Sequence, residues 1–386
     1  MSVTANALPY DEFVKGLRGP GQQWKIFANL SAEIVNTGLC MFCGGCIAAC
    51  PVNILYPTPD EKPTMKGRCI LCGLCYYSCP RVELPLKTIE HGLFGRDRME
   101  NETIIGVHSG VWSVRSAEKE VLKVCQDGGV VTTLLRHALK SKIVDRVVTV
   151  ATESENPWRP KPVVINNPDD LLSAARSKYT ATGSIRALAD AIFEHYDPHI
   201  TGGATNDLDP KLAFVGVPCQ IQAIRRMYTR GNSKLTEHIS LAIGLFCYNT
   251  YRYAGLIQEF ASKQQSVEPS QITKMECKEG VFRAYQNNAV RIEAHLKELE
   301  PFILPGCSKC QDFTAELADL SVGHVGAEEG WCTVIVRTQK GADLLKEASA
   351  AGLIQSKPVS SGDLGLDHVI RLSEKKKKRE APYIRD

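Results

Sequence analysis

The sequence predicts an α/β body that follows a small, cysteine-rich α+β unit. Between about residues 105 and 365 the chain alternates helical and strand-like runs, which is typical of α/β folds. Residues 34–100 instead carry a doubled cysteine motif in short, turn-rich segments. We therefore divide the 386 residues into an extension (1–33), a cysteine segment (34–100), a body (105–365) and a tail (366–386).

The composition narrows the function classes. Hydrophobic residues make up 44% and charged residues 23% of the chain, as in ordinary globular proteins. A net charge of +3 gives no case for nucleic-acid binding. Because no apolar run of about 18 residues and no secretory pattern occurs, we expect a cytoplasmic protein without a direct membrane span. The 15 cysteines then indicate metal binding rather than disulfides.

The extension and the tail flank the two main units. Apolar residues at helical spacing predict a helix that packs on another surface: Trp24, Ile26, Phe27, Leu30 and Ile34. The tail is polar and carries the basic run 375–379. We interpret that run as a solvated end, with docking on an acidic partner or an anionic membrane surface as the alternative.

The internal repeat carries the most specific chemical signal. The pattern C-x-x-C-x-x-C-x-x-x-C-P occurs twice, 29 residues apart. Three thiolates at this spacing surround one corner of a [4Fe-4S] cluster, and the fourth reaches the other cluster. The predicted ligands are Cys40, Cys43, Cys46 and Cys79 for the first cluster, and Cys69, Cys72, Cys75 and Cys50 for the second. Structural zinc is the alternative, although zinc sites more often use separate cysteine pairs. The segment resembles a bacterial-type two-cluster ferredoxin.

Cysteines of the body fall where α/β sheets place ligands. The strand-like runs 212–217 and 241–246 lead into two of them, and the carboxyl ends of parallel strands are common binding positions. Two more form a C-x-x-C pair. The four candidate ligands of a third [4Fe-4S] cluster are Cys219, Cys247, Cys307 and Cys310. Cys277 is the rival ligand.

Two glycine-containing segments are candidates for an anion site. Gly128 and Gly129 precede a predicted helix, whose free N–H groups favour an anion, although Gly-Gly is more commonly a simple turn. Segment 175–184 combines cations, hydroxyl groups and glycine before another helix, which suits a phosphate. A solvated, capped helix start explains the same residues equally well.

The body resembles the coenzyme F420 hydrogenase/dehydrogenase beta-subunit family. The matching pieces are DGGVVTTLL at 127–135, ARSKYTATGS at 175–184, FVGVPCQIQAIRR at 214–226, GLFCYNTY at 244–251, CSKCQDFTAELADLSVGHVG at 307–326 and GWCTVIVRTQKG at 330–341. With the ferredoxin-like segment in front, the chain resembles the electron-input subunit of an F420H2 dehydrogenase.

This resemblance implies FAD, three [4Fe-4S] clusters and coenzyme F420 as the substrate. Electrons are expected to pass from F420H2 to FAD, to the body cluster, to the ferredoxin clusters and to a partner. No catalytic acid or base is implied, because hydride transfer needs positioning above all. The expected flavin contacts are Gly128, Gly129, Arg176, Ser177, Lys178, Tyr179 and Asp319, with His324 as a weaker candidate. Arg225 and Arg226 are candidates for a basic rim that faces F420.

The resemblance also implies a redox partner complex. A membrane-bound, complex-I-like dehydrogenase would place the chain peripherally on the cytoplasmic side. A ferredoxin-dependent flavin reductase of the same family, acting on another substrate, is the first alternative function. An electron-transfer adaptor without flavin is an alternative of another class, and flavin content distinguishes it from the other two.

Overall fold

The computed structural model describes residues 24–192, 209–229, 233–360 and 362–381. Its strands are β1 Leu55–Pro57, β2 Pro63–Met65, β3 Gly110–Ser116, β4 Arg146–Thr152, β5 Pro160–Ile165, β6 Leu212–Gly216, β7 Ile239–Leu245, β8 Lys274–Lys278, β9 Val281–Gln286, β10 Ala289–His295, β11 Leu320–Gly323, β12 Cys332–Val336 and β13 Ile354–Pro358. Its α-helices are α1 Phe27–Leu30, α2 Gly45–Ala48, α3 Leu74–Tyr77, α4 Leu86–Phe94, α5 Lys119–Val124, α6 Val130–Lys140, α7 Ala187–Ile192, α8 Pro218–Thr229, α9 Gln339–Ala350 and α10 Leu364–Lys377.

A mixed sheet organises the body. Within the described ranges it has eight strands in the order β13-β3-β12-β11-β7-β6-β4-β5. The central strands β11, β7, β6 and β4 are parallel, and antiparallel strands complete both edges. The parallel centre brings the carboxyl ends of β6, β7 and β11 to one edge. The predicted α/β body is therefore confirmed.

Helices cover both faces of this sheet. On one face α6 and α9 bury Leu134, Leu135 and Leu344 against the strands. On the other face α7 and α8 bury Leu188 and Ile224 with Phe214 of β6. Because both faces are covered, every residue of β6 is buried, and its sequence LAFVG is continuously apolar or small.

A second, antiparallel sheet of β10-β9-β8 packs beside the body sheet. Its core joins Met275 and Phe282 to the π-helix Ala254–Gln264 and to Trp158. Strand β8 carries Cys277, so this sheet brings that cysteine to the edge of the body.

The cysteine segment has the α+β fold that the sequence predicts. Strands β1 and β2 pair antiparallel, with Tyr56 opposite Thr64. Helices α2 and α3 each follow a glycine in left-handed conformation, Gly44 (φ 89°) and Gly73 (φ 74°). Helix α1 and the π-turn after it pack on this segment through buried apolar side chains, which confirms the predicted packing face of the extension. No helix of the described ranges combines the length and the apolar character needed to cross a membrane.

Candidate redox site

The two cysteine motifs adopt the same backbone conformation. Phe42 (φ 51°) and Leu71 (φ 59°) occupy equivalent positions in left-handed conformation. Their amides donate to the sulfurs of Cys40, at 3.4 Å, and Cys69, at 3.3 Å. Non-glycine residues at positive φ are strained and persist where the surroundings impose them. Amides aimed at sulfur also tune iron–sulfur centres, so the strain has a chemical use.

The first motif surrounds a cavity. All four of its predicted ligands line the cavity, together with apolar residues such as Met41 and Ile47; the ligands are Cys40, Cys43, Cys46 and Cys79. Burial, with Cys79 and Cys40 nearby, raises the pKa of the Cys43 thiol to about 12. Buried thiolates need a compensating positive charge, and iron supplies it. The cavity therefore fits a cysteine-ligated cluster.

The structure brings Cys50 to the second motif. Burial and the nearby cysteines Cys72, Cys50 and Cys69 raise the pKa of the Cys75 thiol to about 12. Cys46 belongs to the first group, and Cys75 lies close enough to raise the pKa of its thiol. The two groups are therefore neighbours, and the fourth cysteine of each motif crosses to the other group.

A third group of cysteines forms at the carboxyl edge of the body sheet. Cys219 begins α8, and Cys247 follows β7. The 3-10 turn Pro305–Lys309 and the next residue supply the other two thiols, Cys307 and Cys310. Burial raises the pKa of Cys219 well above its ordinary value, and the next largest contributions come from Cys43 and Cys310. The body group thus adjoins the first ferredoxin group.

Cys277, the rival ligand, has other neighbours. Its amide donates to the hydroxyl of Tyr179 at 3.2 Å. Burial and the carboxylate of Glu276 raise the pKa of its thiol to about 12. The structure therefore places Cys277 with the expected flavin contacts.

The cysteine groups are not arranged around a single ion. No three His, Cys, Asp or Glu side chains of the described ranges are placed to hold one metal ion. Tetrahedral zinc requires sulfurs about 2.3 Å from one centre.

Close glycine contacts seat the ferredoxin segment on the body. A Cβ on Gly44 would lie 2.8 Å from the backbone of Gly183, and one on Gly306 would lie 2.4 Å from the carbonyl oxygen of Cys40. Buried Arg81 joins the same surfaces, since its guanidinium donates to the carbonyls of Leu39 at 3.3 Å and Gly306 at 2.6 Å. Sequence reasoning missed Arg81, and no local pattern distinguishes it.

The expected flavin contacts of segment 175–184 pack against β8 and the segment before α6. Arg176 (φ 73°) and Tyr179 (φ 59°) are both in left-handed conformation. The Arg176 guanidinium donates to the carbonyls of Val124, at 3.1 Å, and Thr273. The Ser177 amide donates to the side chain of Gln126 at 3.2 Å. Three separate segments thus meet at one strained turn.

Lys178 and the glycine pair also have partners within the protein. The Lys178 ammonium donates to the carbonyls of Ala174 and Arg176, and burial with Arg176 nearby lowers its pKa to about 7. A Cβ on Gly128 would lie 2.9 Å from the carbonyl oxygen of Val114, and one on Gly129 would lie 2.7 Å from Val121. The glycines therefore permit close packing of α6 on the sheet.

The charges of this region suit a pyrophosphate. Besides Arg176 and Lys178, β8 contributes Lys274 and Lys278. Lys278 pairs with Asp127 at 2.8 Å, and Lys274 pairs with Glu276 at 3.4 Å. The cations outnumber these two carboxylates, so the donor chemistry fits the anionic part of FAD.

Asp319 lies apart from these residues. Its carboxylate accepts from the amide of Ala242 at 2.7 Å, from Thr338 at 2.8 Å and from Arg225 at 3.2 Å. It precedes β11, whereas His324 follows that strand at the carboxyl edge.

The prediction that Arg225 and Arg226 form a basic rim is wrong. Arg225 forms the ion pair with Asp319 described above. Arg226 is fully buried and pairs with Glu83 at 3.2 Å. Both guanidinium groups therefore join elements of the protein instead of lining an open surface.

The interpretation of the basic run as a solvated end holds for Lys375 and Lys378, which are exposed, but is wrong for Lys376 and Arg379. Lys376 is 1% exposed, and its ammonium donates to the carbonyl of Cys247. Arg379 donates to the carbonyls of Cys307, at 2.8 Å, and Cys310, at 3.4 Å. The buried positions 366, 369, 373 and 376 follow helical spacing, which is a signal that the sequence offers.

Family models match both main units of the chain. The model for the C-terminal part of the coenzyme F420 hydrogenase/dehydrogenase beta chain matches residues 209–362, and the model for its N-terminal part matches 111–189. A 4Fe-4S binding domain model matches residues 33–56, which hold the first cysteine motif.

Related proteins are similar over most of their length. The chain is 34% identical to the coenzyme F420 hydrogenase subunit beta of Methanothermobacter thermautotrophicus, over 73% of this chain and 95% of the relative. It is 28% identical to one of the subunits of the F(420)H(2) dehydrogenase of Methanosarcina mazei, over 92% and 94%. A solved chain of the F420-reducing [NiFe] hydrogenase complex of Methanosarcina barkeri superposes with a TM-score of 0.65 and 30% identity, covering 73% of this chain and 92% of that one.

Proposed function

The chain belongs to the coenzyme F420 hydrogenase/dehydrogenase beta-subunit family, and we propose that it oxidises reduced coenzyme F420 and delivers single electrons to a partner complex. The family and the 4Fe-4S binding domain make it an oxidoreductase of F420-linked electron transfer. The direction of electron flow, the use of FAD and the transfer of electrons through the cysteine groups are parts of the proposal.

The proximity of Cys43 to Cys219 is the observation that supports this proposal most directly. It joins the body cysteine group to the first ferredoxin group. Cys46 and Cys75 then join the first ferredoxin group to the second. The three groups therefore form a continuous series from the carboxyl edge of the body sheet to the surface of the ferredoxin segment. When bound, [4Fe-4S] clusters at these groups would each carry one electron at a time.

The substrate end of the series lies at the strained turn of Arg176 and Tyr179. FAD would supply the conversion between hydride transfer and single-electron transfer. We propose that Arg176 and Lys278 neutralise its pyrophosphate, while Lys178 holds the turn through its hydrogen bonds to the carbonyls of Ala174 and Arg176. Ser177 and Tyr179 would fix the turn through their bonds to Gln126 and Cys277. This assigns the residues a positioning role, which is the main requirement of hydride transfer.

In this proposal electrons leave the protein at the second cysteine group. The loop around Cys69 exposes apolar side chains, with Met65 41%, Ile70 54% and Leu71 57% exposed. Lys66 and Arg68 are exposed between them. An apolar patch with a cationic rim suits a redox partner with an acidic surface. Attachment of that partner to a membrane would make this chain peripheral.

An anaerobic assay tests the proposal. Purified, cluster-loaded protein is mixed with FAD, F420H2 and a viologen dye, and the absorbance of oxidised F420 is followed as the dye is reduced. Turnover in step with dye reduction is the expected result. Absence of turnover, with flavin and iron confirmed bound, contradicts F420H2 oxidation and supports a ferredoxin-dependent reductase of another substrate. Iron-loaded protein that binds no flavin supports the adaptor.

A further inference from the structure

Lys376 is a buried cation without a carboxylate partner. Its side chain is 1% exposed, and its hydrogen bond is to the carbonyl of Cys247. Within the described ranges its ammonium forms no ion pair, and the buried carboxylate of Asp312 acts on it only from a longer distance. The two neighbouring lysines of the helix differ from Lys376, since Lys377 pairs with Glu316 and Lys375 is exposed.

A buried ammonium is costly unless negative charge lies nearby. The residue that Lys376 contacts is itself a member of the body cysteine group. Arg379 reaches the same group, because it donates to the carbonyls of Cys307 and Cys310 while its guanidinium lies 4.6 Å from the centre of the Tyr248 ring. The end of α10 and the residues just after it therefore bring two cations against three of the four body cysteines.

We propose that Lys376 raises the reduction potential of the body [4Fe-4S] cluster and so makes it the acceptor that draws electrons from the substrate end. This inference rests on the proposed function, because it requires a cluster at the body cysteines. One electron arrives and no proton moves, since Lys376 keeps its proton throughout. Each added electron makes the cluster more negative, and a fixed cation stabilises that charge strongly in a water-excluded site.

Four variants of the holoprotein test this inference: Lys376→Met, Lys376→Arg, Arg379→Gln and Lys375→Met. Lys375→Met is the matched control, because it removes the same charge from an exposed position of the same helix. Iron content and EPR-monitored redox titration are measured for each. We expect Lys376→Met to shift one midpoint potential to a more negative value and to leave the others unchanged. Lys376→Arg should stay near the wild type, and Arg379→Gln should shift the same potential less.

An unchanged potential in Lys376→Met, or an equal shift in Lys375→Met, would overturn the inference. If Lys376→Met fails to bind the body cluster, Arg379→Gln provides the test. An unchanged midpoint potential of the body cluster in Arg379→Gln would then overturn the inference. Wild-type protein with well below about 12 iron atoms and fewer than three reducible centres contradicts the proposed function itself, and the inference falls with it.

Discussion

Cys43 of the first ferredoxin motif lies beside Cys219 at the start of α8, close enough that its charge raises the pKa of the Cys219 thiol. The two residues are far apart in the sequence and belong to different folding units. Their meeting is imposed by the glycine contact of Gly44 with Gly183 and by the bonds of Arg81. The junction between the ferredoxin segment and the body is thus where electron transfer should be most sensitive to substitution.

Removing the first body ligand should separate flavin reduction from onward electron transfer. In Cys219→Ala we expect F420H2 still to bleach the flavin, because the strained turn at Arg176 is untouched. Viologen reduction should fall about tenfold or more, since each missing relay centre lengthens the electron path. Rapid-mixing absorbance and steady-state dye assays measure the two steps. An equal loss of both steps in Cys219→Ala would contradict the relay.

The glycine contact between the two units should be intolerant of a methyl group. In Gly44→Ala the new Cβ would lie 2.8 Å from the backbone of Gly183, in addition to the strain of a φ of 89°. We expect a loss of about 2–4 kcal/mol in the free energy of unfolding. Gly95→Ala has a similar φ of 70° and open space around it, so it measures the strain alone, about 1 kcal/mol. Equal losses in denaturant titrations of the two variants would show that the contact is not tight.

Charge reversal at the exit loop should slow delivery to an acidic acceptor. For the pair Lys66→Glu with Arg68→Glu, we expect the rate of reduction of an acidic ferredoxin to drop about tenfold at low salt and less at high salt. Viologen reduction should be unchanged, because the dye needs no docking surface. Stopped-flow kinetics measure both rates. Lys263→Glu reverses an exposed charge of the π-helix Ala254–Gln264 and should leave both rates unchanged.

Glu61 should make the junction sensitive to pH. Its carboxylate accepts the Tyr253 amide at 2.6 Å, and burial raises its pKa from 4.5 to about 6. The folded protein therefore binds more protons than the unfolded chain between pH 4.5 and 6, and the free energy of unfolding falls as pH rises through that window. The loss is at most about 2 kcal/mol. Glu61→Gln should remove this pH-dependent loss, so that the stability of the variant rises relative to that of the wild type between pH 5 and pH 7.

An exposed carboxylate that does not act on Glu61 provides the control for this pH dependence. Glu279→Gln removes an exposed carboxylate from the turn between β8 and β9 and should keep the wild-type pH profile in denaturant titrations. A Glu61→Gln profile parallel to that of the wild type would show that the buried carboxylate is not the cause.

The sequence by itself determined the cysteine motifs and the fold class. The spacing of Cys40, Cys43 and Cys46 is a local property, because one short loop must surround one corner of a cluster. The alternation of apolar strands and helices in the body is likewise local, since periodicity follows from backbone geometry. Both could therefore be predicted without knowledge of which segments meet.

Tertiary structure alone decided what the charged residues do. Asp319, Arg226 and Lys376 look like surface or ligand-binding residues in the sequence, but each is buried against an element distant in the chain. A charge is stable inside a protein only where folding supplies its partner, and that partner is not encoded nearby. Lys375 and Lys376 are adjacent and chemically identical, yet one is solvated and the other faces the body cysteines. The helical rotation between neighbouring positions and the packing of α10 on the body make that distinction.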